Sequence, residues 1–557
     1  MRTTLLSSLA CAIAAVTAAG NSSCAAKQTY DHIVVGGGQA GIIAATRLAQ
    51  TGKHVLLLER GVGPTVATGA ENVLAWNDTL TPTDVPGLAP AVRDLGLFSK
   101  YMCPDTEGVS ACVLGGAGSF NYLVYVHPPA RDFDDGWPRG WKWDDVKPAA
   151  DRVYAVNPGS SVPSADGRRY DFGLYDALGS GFLASRGWKA VSQTEQPDEK
   201  HEAYSYPNWN IGNQKRAGSL ASYLPVARQQ RGFSMRLNAT VSRLLREGGK
   251  VTGVEVDGGS GSSGSSSSSS KTRFRLAEGG KVILAAGTWG TPRVLLNSGI
   301  GPEDQLRIIQ NGTSGVELPA RDQWVDLPVG RTIRDHSIFT LNIQTNETFG
   351  AFNASAAAFG ASSAASDISL YNDGSSGELT QGMHKLIFWT SNRAGGDNRT
   401  RYIQGSCSPG GPGLFGIKAY LTHGLTSKGS VGIDGSGKMV FRQKPYLVDE
   451  ADRRAALAFI EETAAAVKAY PGWQLKGYTN ATAVLDKIEP GNHFVGTAAM
   501  GEDKASSVVG PDARVHGMEN LYVVDASMHP DLPTGNTNAI VMVAAEAAIG
   551  KIIAAQQ

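Results

Sequence analysis

The chain lacks most of what a metalloprotein, a nucleic-acid binder or a membrane-spanning protein requires. Its five cysteines form no CxxC pair, and no HExxH or calcium-loop pattern occurs, so neither a structural nor a catalytic metal finds ligands at the needed spacing. Excess charge is absent too. Lys plus Arg and Asp plus Glu number 51 each and no basic run stands out, which removes the electrostatic footprint of nucleic-acid or anionic-membrane binding and leaves a small molecule as the expected partner. Apolar runs are short. "MRTTLLSSLACAIAAVTAAG" has about seventeen residues between Arg2 and Gly20, fewer than the ~20 of a membrane helix. Its single arginine, apolar centre and small residues have the layout of a secretory signal over residues 1–19.

What the chain has is length and glycine. With 557 residues, 41% hydrophobic and 18% charged, it can bury a sizeable core in several domains or two interleaved ones, and neither disorder nor coiled coil fits. Export makes two further features expected. Sequons at Asn21, Asn77, Asn238, Asn311, Asn346, Asn353, Asn398 and Asn480 would be open to glycosylation. Outside the leader's apolar centre lie Cys24, Cys103, Cys112 and Cys407, and "YMCPDTEGVSACVLGG" puts Cys103 and Cys112 in one short loop, where an oxidising compartment favours a local bridge.

Punctuation by glycine sets the organisation. "YDHIVVGGGQAGIIAATRLAQTGKHVLLLERG" predicts a strand over His32 to Val35, a glycine turn, a helix from Gln39 to Gln50 and a second strand from His54 to Glu59. Gly36, Gly38 and Gly41 make GxGxxG. The first two let the backbone turn tightly and approach a pyrophosphate at the positive helix end, and Gly41 permits close helix–strand packing. Glu59 ends the second strand, where a carboxylate can accept hydrogen bonds from ribose hydroxyls. This pattern predicts a dinucleotide site and leaves FAD and a nicotinamide equally open.

Further on, "FSMRLNATVSRLLREGGKVTGVEV" predicts strands turning at Gly248 and Gly249, and the Gly/Ser run over 257–270 has no apolar face to pack, which predicts a disordered hairpin-tip insertion. From about Leu327 to Lys476 mixed strands and loops surround one clear helix, "DEADRRAALAFIEETAAAVKAY", whose Glu461 and Glu462 are expected on its solvated face. "ENLYVVDASMHP" predicts a strand ending at Asp525, and a last helix follows from about Asn536 to Ala554.

Two more glycine-rich stretches, "CVLGGAGSFN" at 112–121 and "GTWGTPRVLLNSGIG" at 287–301, resemble the signature segments of the glucose-methanol-choline (GMC) family of FAD oxidoreductases. Departures in the first, with Cys112, Ala117 and Gly118, are similar to the flavin domain of cellobiose dehydrogenases, as are "GWKWDDV", "KRAGSLASYL", "RYIQG", "SKGSVGID" and "LPTGN". The resemblance runs from Tyr30 to the C-terminus. It implies an α/β fold in which a Rossmann-like FAD-binding domain (30–140, 216–325 and 486–557) is interleaved with an α+β substrate domain on a mostly antiparallel sheet (326–485), with substrate-domain and lid segments at 141–215. It also implies that Gly115, Gly116, Asn121, Val241, Gly287 and Asp525 join Gly36, Gly38, Gly41 and Glu59 around FAD.

The same resemblance gives "GNHFVG" a purpose. A lone His493 among small and apolar residues reads first as a structural histidine, but in the family the histidine of such a segment faces the flavin. A second residue, histidine or asparagine, lies about forty positions later, here Asn536 in "LPTGNTNAIV". Oxidising an alcohol removes a hydroxyl proton and a carbon-bound hydride, so a base and an orienting partner must meet the substrate oxygen. His493 is therefore expected as base and Asn536 as the positioning group, with a helix N-cap as the alternative role for Asn536. Asn538 is expected to lie off the substrate.

Departures bound the inference. Some family members tether FAD through a histidine just before the asparagine matching Asn121; Phe120 stands there, implying non-covalent FAD. Only about ten residues separate the leader from the first strand, so no haem domain is expected. Ser408 replaces an arginine that contacts sugar hydroxyls in cellobiose dehydrogenases, which weakens a disaccharide and leaves carbohydrate and other alcohols both open. Tyr204, Tyr206, Trp209 and Asn210 are candidates for the substrate side or for core packing. A redox-silent flavoprotein such as a hydroxynitrile lyase is the alternative of another class. Oxygen, a quinone or a redox protein remain as acceptors.

Overall fold

The computed structural model describes residues 29–257 and 271–555; the predicted leader, Cys24 and residues 258–270 of the Gly/Ser insertion lie outside them. Two sheets organise the chain. The seven-stranded first sheet runs in the order Phe233–Arg236, Val55–Leu58, Thr29–Val35, Thr272–Leu284, Lys250–Val256, Val241–Glu247, with Leu521–Val523 beside the end of Thr272–Leu284. Its first four strands and Leu521–Val523 are parallel, and the hairpin of Val241–Glu247 and Lys250–Val256 is antiparallel. Continuous apolar runs form these parallel strands because both faces are covered: Ile33, Val34 and Val55 to Leu58 are all buried.

Helix Gln39–Ala49 crosses over between the first two strands and packs against the last helix, Asn538–Ala554. Helix Trp143–Val156 packs on that last helix as well, through Val146, Ala149, Ala150 and Val153. It thus packs in the core of the first sheet, unlike the substrate-domain placement expected for 141–215, because its apolar stripe meets the last helix. The hairpin of Ser430–Ile433 and Met439–Gln443 makes the same correction to 326–485: Val431, Ile433 and Met439 join the first core.

The eight-stranded second sheet has the order Gln474–Leu475, Ser337–Gln344, Leu414–Leu421, Arg401–Pro409, Leu386–Asn392, Ala203–Ser205, Lys189–Ala190, with Glu489–Pro490 also pairing Ser337–Gln344. All pairings except the last in that row are antiparallel. Alternation divides its faces. Phe339, Leu341, Phe415, Ile417, Ile403 and Cys407 pack with Ala455, Phe459 and Ile460 of the long helix Glu450–Ala469. Asp449 caps that helix by accepting the Ala451 N–H at 2.8 Å, and Glu461 and Glu462 are exposed on it. The opposite face carries Gln404, Ser406, Lys418 and Tyr420, with Gln404 across from Tyr420 and Ser406 across from Lys418. Cys103 and Cys112 form a disulfide, their Cα atoms 5.2 Å apart.

Candidate active site

A cavity of about 510 Å³ runs between the two sheets, within the size range of small-molecule sites. One end is built from backbone. Gly36 has φ +106°, and a Cβ there would come within 2.3 Å of the Ala285 carbonyl oxygen, so only glycine lets the first strand turn into its helix. A Cβ on Gly41 would reach the Gly36 oxygen at 1.9 Å, which is the close packing expected of it. Gly38, Glu59, Gly116, Asn121, Val241, Gly287 and Asp525 line the cavity with Gly36. Gly41 and Gly115 do not; Gly115 supports the wall by donating its N–H to the Gly37 carbonyl at 2.7 Å.

Two acids behave differently from a simple ribose or ring contact. Glu59 is buried, and its two oxygens accept the N–H groups of Gly37 (2.6 Å) and Gly61 (2.7 Å). Each oxygen keeps a second lone pair for a ribose hydroxyl. Burial raises its pKa, and the two backbone donors oppose that. Asp525 accepts from Gly287 N (2.9 Å), Thr291 Oγ1 (2.6 Å), Ser527 N (2.7 Å) and Ser527 Oγ. Its capacity is spent on joining the Gly287–Asn297 helix to the Ala526–Met528 turn, so it shapes the wall.

The other end is built from side chains that meet across long sequence separations. Segment 491–495 pairs with 334–336: Gly491 N donates to the His336 carbonyl at 2.8 Å, and Arg334 and Val495 exchange hydrogen bonds at 3.0 and 3.1 Å. The buried Asp335 carboxylate locks this pairing by accepting the N–H groups of His493 (2.7 Å), His336 (2.9 Å) and Asn492 (3.0 Å) and the Tyr446 hydroxyl (3.2 Å). Burial outweighs those donors and pushes its pKa up to about 7. Asn536 stands with its Nδ2 3.3 Å from His493 Nε2. The amide is oriented by its oxygen, which accepts Gln404 Nε2 at 2.9 Å and the Tyr420 hydroxyl at 3.0 Å. The last helix begins at Asn538 with Thr537 as its N-cap residue, so Asn536 is not the cap. Asn538 also lines the cavity, with its buried Nδ2 lacking a protein partner.

The protonation pattern follows from hydrogen-bond logic. His336 is fully buried, which holds it well below the usual histidine range and hence neutral. Its Nε2 lies 3.3 Å from the Pro533 carbonyl oxygen; a carbonyl only accepts, so Nε2 carries the proton and Nδ1 is an acceptor. His493 Nδ1, 2.9 Å from His336 Nδ1, must then be the donor. Burial lowers the His493 pKa to about 4. Neutral His493 therefore presents an unprotonated Nε2 beside Asn536, the form a base requires.

Asp335, His336, Gln404 and Tyr420 are additions to the residues expected from the sequence. The only linear hint is the adjacent "DH" at 335–336, which precedes a strand. In contrast, Tyr204, Trp209 and Asn210 are buried away from the cavity, and Tyr206 stacks on Tyr175 at 3.6 Å with Arg169 over its other neighbourhood at 4.3 Å. None of the four lines the cavity: Tyr204 sits on the strand Ala203–Ser205 in the core of the second sheet, Trp209 packs with Ala89, Leu123 and Ile211, and Asn210 bonds to Asn157. Ser408 is not on the wall either and bonds to His384 Nδ1 at 2.9 Å.

The geometry has counterparts in known proteins. Models of GMC oxidoreductase match residues 30–338 and 426–545. The chain belongs to the GMC oxidoreductase family. Members of this family are FAD-dependent oxidoreductases acting on CH–OH donors. The oxygen-dependent choline dehydrogenase of Vibrio vulnificus is 27% identical, with 95% of each chain covered. The chloroplastic fatty acid photodecarboxylase of Chlamydomonas reinhardtii is 25% identical over 94% of this chain and 90% of its own. In fold, a variant of Aspergillus oryzae formate oxidase superposes with a TM-score of 0.72 at 19% identity, covering 95% of this chain and 98% of that one. A fungal aryl-alcohol oxidase gives 0.70 at 18% identity, with 95% and 99% covered.

FAD fits the residues present in this GMC oxidoreductase. The N-terminus of helix Gln39–Ala49 has no side-chain cap and opens on the cavity at Gly38, which suits a pyrophosphate. Glu59 retains acceptor capacity for a ribose, and the unpartnered Asn538 Nδ2 offers a buried donor on the same wall.

Proposed function

We propose that this GMC oxidoreductase is a secreted enzyme that binds FAD without a covalent link and oxidises a polar alcohol, including the anomeric hydroxyl of a sugar. The observation that carries the reading is the pairing of His493 Nε2 and Asn536 Nδ2 at 3.3 Å on a cavity wall that continues to the glycine turn. An alcohol oxygen placed between them donates its proton to His493 Nε2 and accepts a hydrogen bond from Asn536 Nδ2. Bound FAD supplies the two-electron acceptor for the carbon-bound hydrogen and its electron pair, leaving a carbonyl product. The ring of His493 is held by the bond from its Nδ1 to His336 Nδ1, while the Asp335 carboxylate holds the backbone N–H groups of His493 and His336. Gln404 and Tyr420 prevent the Asn536 amide from flipping.

Carbohydrate as substrate is supported by the polar wall of His384, Ser406, Lys418 and Glu489 beyond the base, and by the segments similar to cellobiose dehydrogenases. Non-covalent attachment rests on Phe120, which lines the cavity edge-on to Phe98 at 6.1 Å and has no nucleophilic atom. Secretion rests on the leader-like start, the Cys103–Cys112 bridge and the sequons, of which Asn238, Asn311, Asn346, Asn353, Asn398 and Asn480 are exposed. Relatives named as oxygen-dependent dehydrogenases make oxygen the first acceptor to try, before quinones and redox proteins.

The test is anaerobic mixing of the yellow holoprotein with mono- and oligosaccharides and with benzylic and aliphatic alcohols. Bleaching of the flavin band is expected, followed by recovery with oxygen or quinone. A flavin that no alcohol bleaches would favour a redox-silent role of the hydroxynitrile-lyase kind. Acid precipitation should release all flavin to the supernatant; flavin kept by the pellet would overturn the non-covalent reading.

A further inference from the structure

The substrate end of the cavity holds a charge that the alcohol chemistry does not use. Lys418 lines the cavity and is half-buried, and among the described residues no carboxylate lies within ion-pair distance of it. Strand register fixes where it stands. It is two residues from Tyr420, which orients Asn536, and a two-residue step along a strand keeps the same face and covers about 7 Å. Across the strands it faces buried Ser406 on one side and exposed Thr340 on the other, so it stands at the border between the buried and the solvent-exposed part of this sheet face. Beyond it, His384 is buried and bonded to Ser408 Oγ at 2.9 Å. Burial lowers the His384 pKa to about 3, with Lys418 adding to the effect. The histidine therefore brings no second cation. Glu489 is the carboxylate on this part of the wall, yet it is exposed on the Glu489–Pro490 strand and forms no ion pair with Lys418.

The geometry points to a carboxylate subsite made by Lys418 with the Ser406 hydroxyl, about a ring's length from His493 and Asn536, so that the preferred substrate is an alcohol bearing a carboxylate. Lysine offers a hydrated point charge rather than a bidentate fork. That suits a single carboxylate at such a border, with a modest gain in affinity and faster capture. The position matters because Ser408, which stands where cellobiose dehydrogenases have an arginine, is uncharged and engaged with His384. Lys418 returns one positive charge from the adjacent strand. This inference rests on the alcohol oxidation proposed above for its meaning as a substrate preference, but not for its binding test.

Binding is read first, without turnover. The holoenzyme is titrated with benzoate and with benzamide, and dissociation constants are taken from the perturbed flavin spectrum. Benzoate is expected to bind about tenfold more tightly than benzamide, with the advantage shrinking as salt rises, lost in Lys418→Met and kept in Lys418→Arg. Equal affinities, or an advantage that survives in Lys418→Met, would overturn the subsite. Anaerobic reduction by 4-(hydroxymethyl)benzoate and 4-(hydroxymethyl)benzamide comes second. The acid should half-saturate at about tenfold lower concentration with a similar limiting rate. Benzoate binding through Lys418 without bleaching by either alcohol would support the subsite and count against the oxidoreductase reading. Bleaching by both at equal half-saturation would do the reverse.

Discussion

The two ends of the cavity are built on opposite plans. At the glycine turn, recognition comes from backbone and from the absence of side chains: Gly36 and Gly41 leave room, and the uncapped helix end presents N–H groups. At the other end, recognition comes from side chains brought together by a polar sheet face and two loops, with His336 and His493 paired at 2.9 Å although 157 positions separate them. A backbone site tolerates almost no added atom. A side-chain site loses function by degrees, because each hydrogen bond is one contribution among several.

The sharpest way to break this contrast is Gly41→Ala. The new methyl would have to displace the Gly36 carbonyl, at a cost of about 3 kcal/mol. Little soluble yellow protein is expected, read as flavin per chain and as the unfolding midpoint; a fully loaded, stable variant would refute the close-packing argument. Next comes His493→Ala, expected to keep FAD while slowing anaerobic flavin reduction by at least ~10²-fold, with a smaller loss for Asn536→Ala. Near-normal reduction would return His493 to a structural role. His336→Leu should then cost roughly tenfold in the reduction rate, because His493 Nδ1 loses the acceptor that fixes its tautomer. His336→Gln, which can still accept at that point, should recover part of it. Loss of flavin binding in both variants would mean that His336 serves packing alone.

The acid limb of the rate sharpens the same picture. A base held down at about 4 is unprotonated above that value, so protonation of His493 itself should slow reduction by a neutral alcohol only near pH 4. A limb near the ordinary histidine value that persists in Asp335→Asn would show that burial does not set the base, whereas one that this variant removes belongs to Asp335, itself pushed up to about 7. The smallest effect belongs to Tyr206→Phe, which removes a hydroxyl bonded to Asp171 at 3.0 Å far from the cavity wall; reduction rates should stay within about twofold.

The legible parts of the molecule are those whose cause is local. The opening strand, turn and helix follow from apolar runs and GxGxxG, and the observed helix Gln39–Ala49 ends one residue short of its expected end. The hairpin turning at Gly248 and Gly249, the disulfide and the long helix with its exposed Glu461 and Glu462 also follow from short-range pattern. Aromatic content left Tyr204, Tyr206 and Trp209 undecided between the substrate side and the core, since a ring that stacks on substrate and one that fills a core look alike along the chain. The core joined by helix Trp143–Val156 was not legible, because amphipathicity names a buried face and not its partner.

By itself the sequence determined the nucleotide-binding turn, and its resemblance to the GMC family pointed to the α/β class and to His493 and Asn536, which meet in the cavity. Tertiary structure alone decided how they meet. The tautomer of His493 depends on the Pro533 carbonyl and His336, its backbone position on Asp335, and the orientation of Asn536 on Gln404 and Tyr420. Lys418 became a cavity residue only once strand register set it across from Ser406. Propensity and spacing act over a few residues, whereas a proton's position is set by whichever donors and acceptors the folded chain brings within about 3 Å.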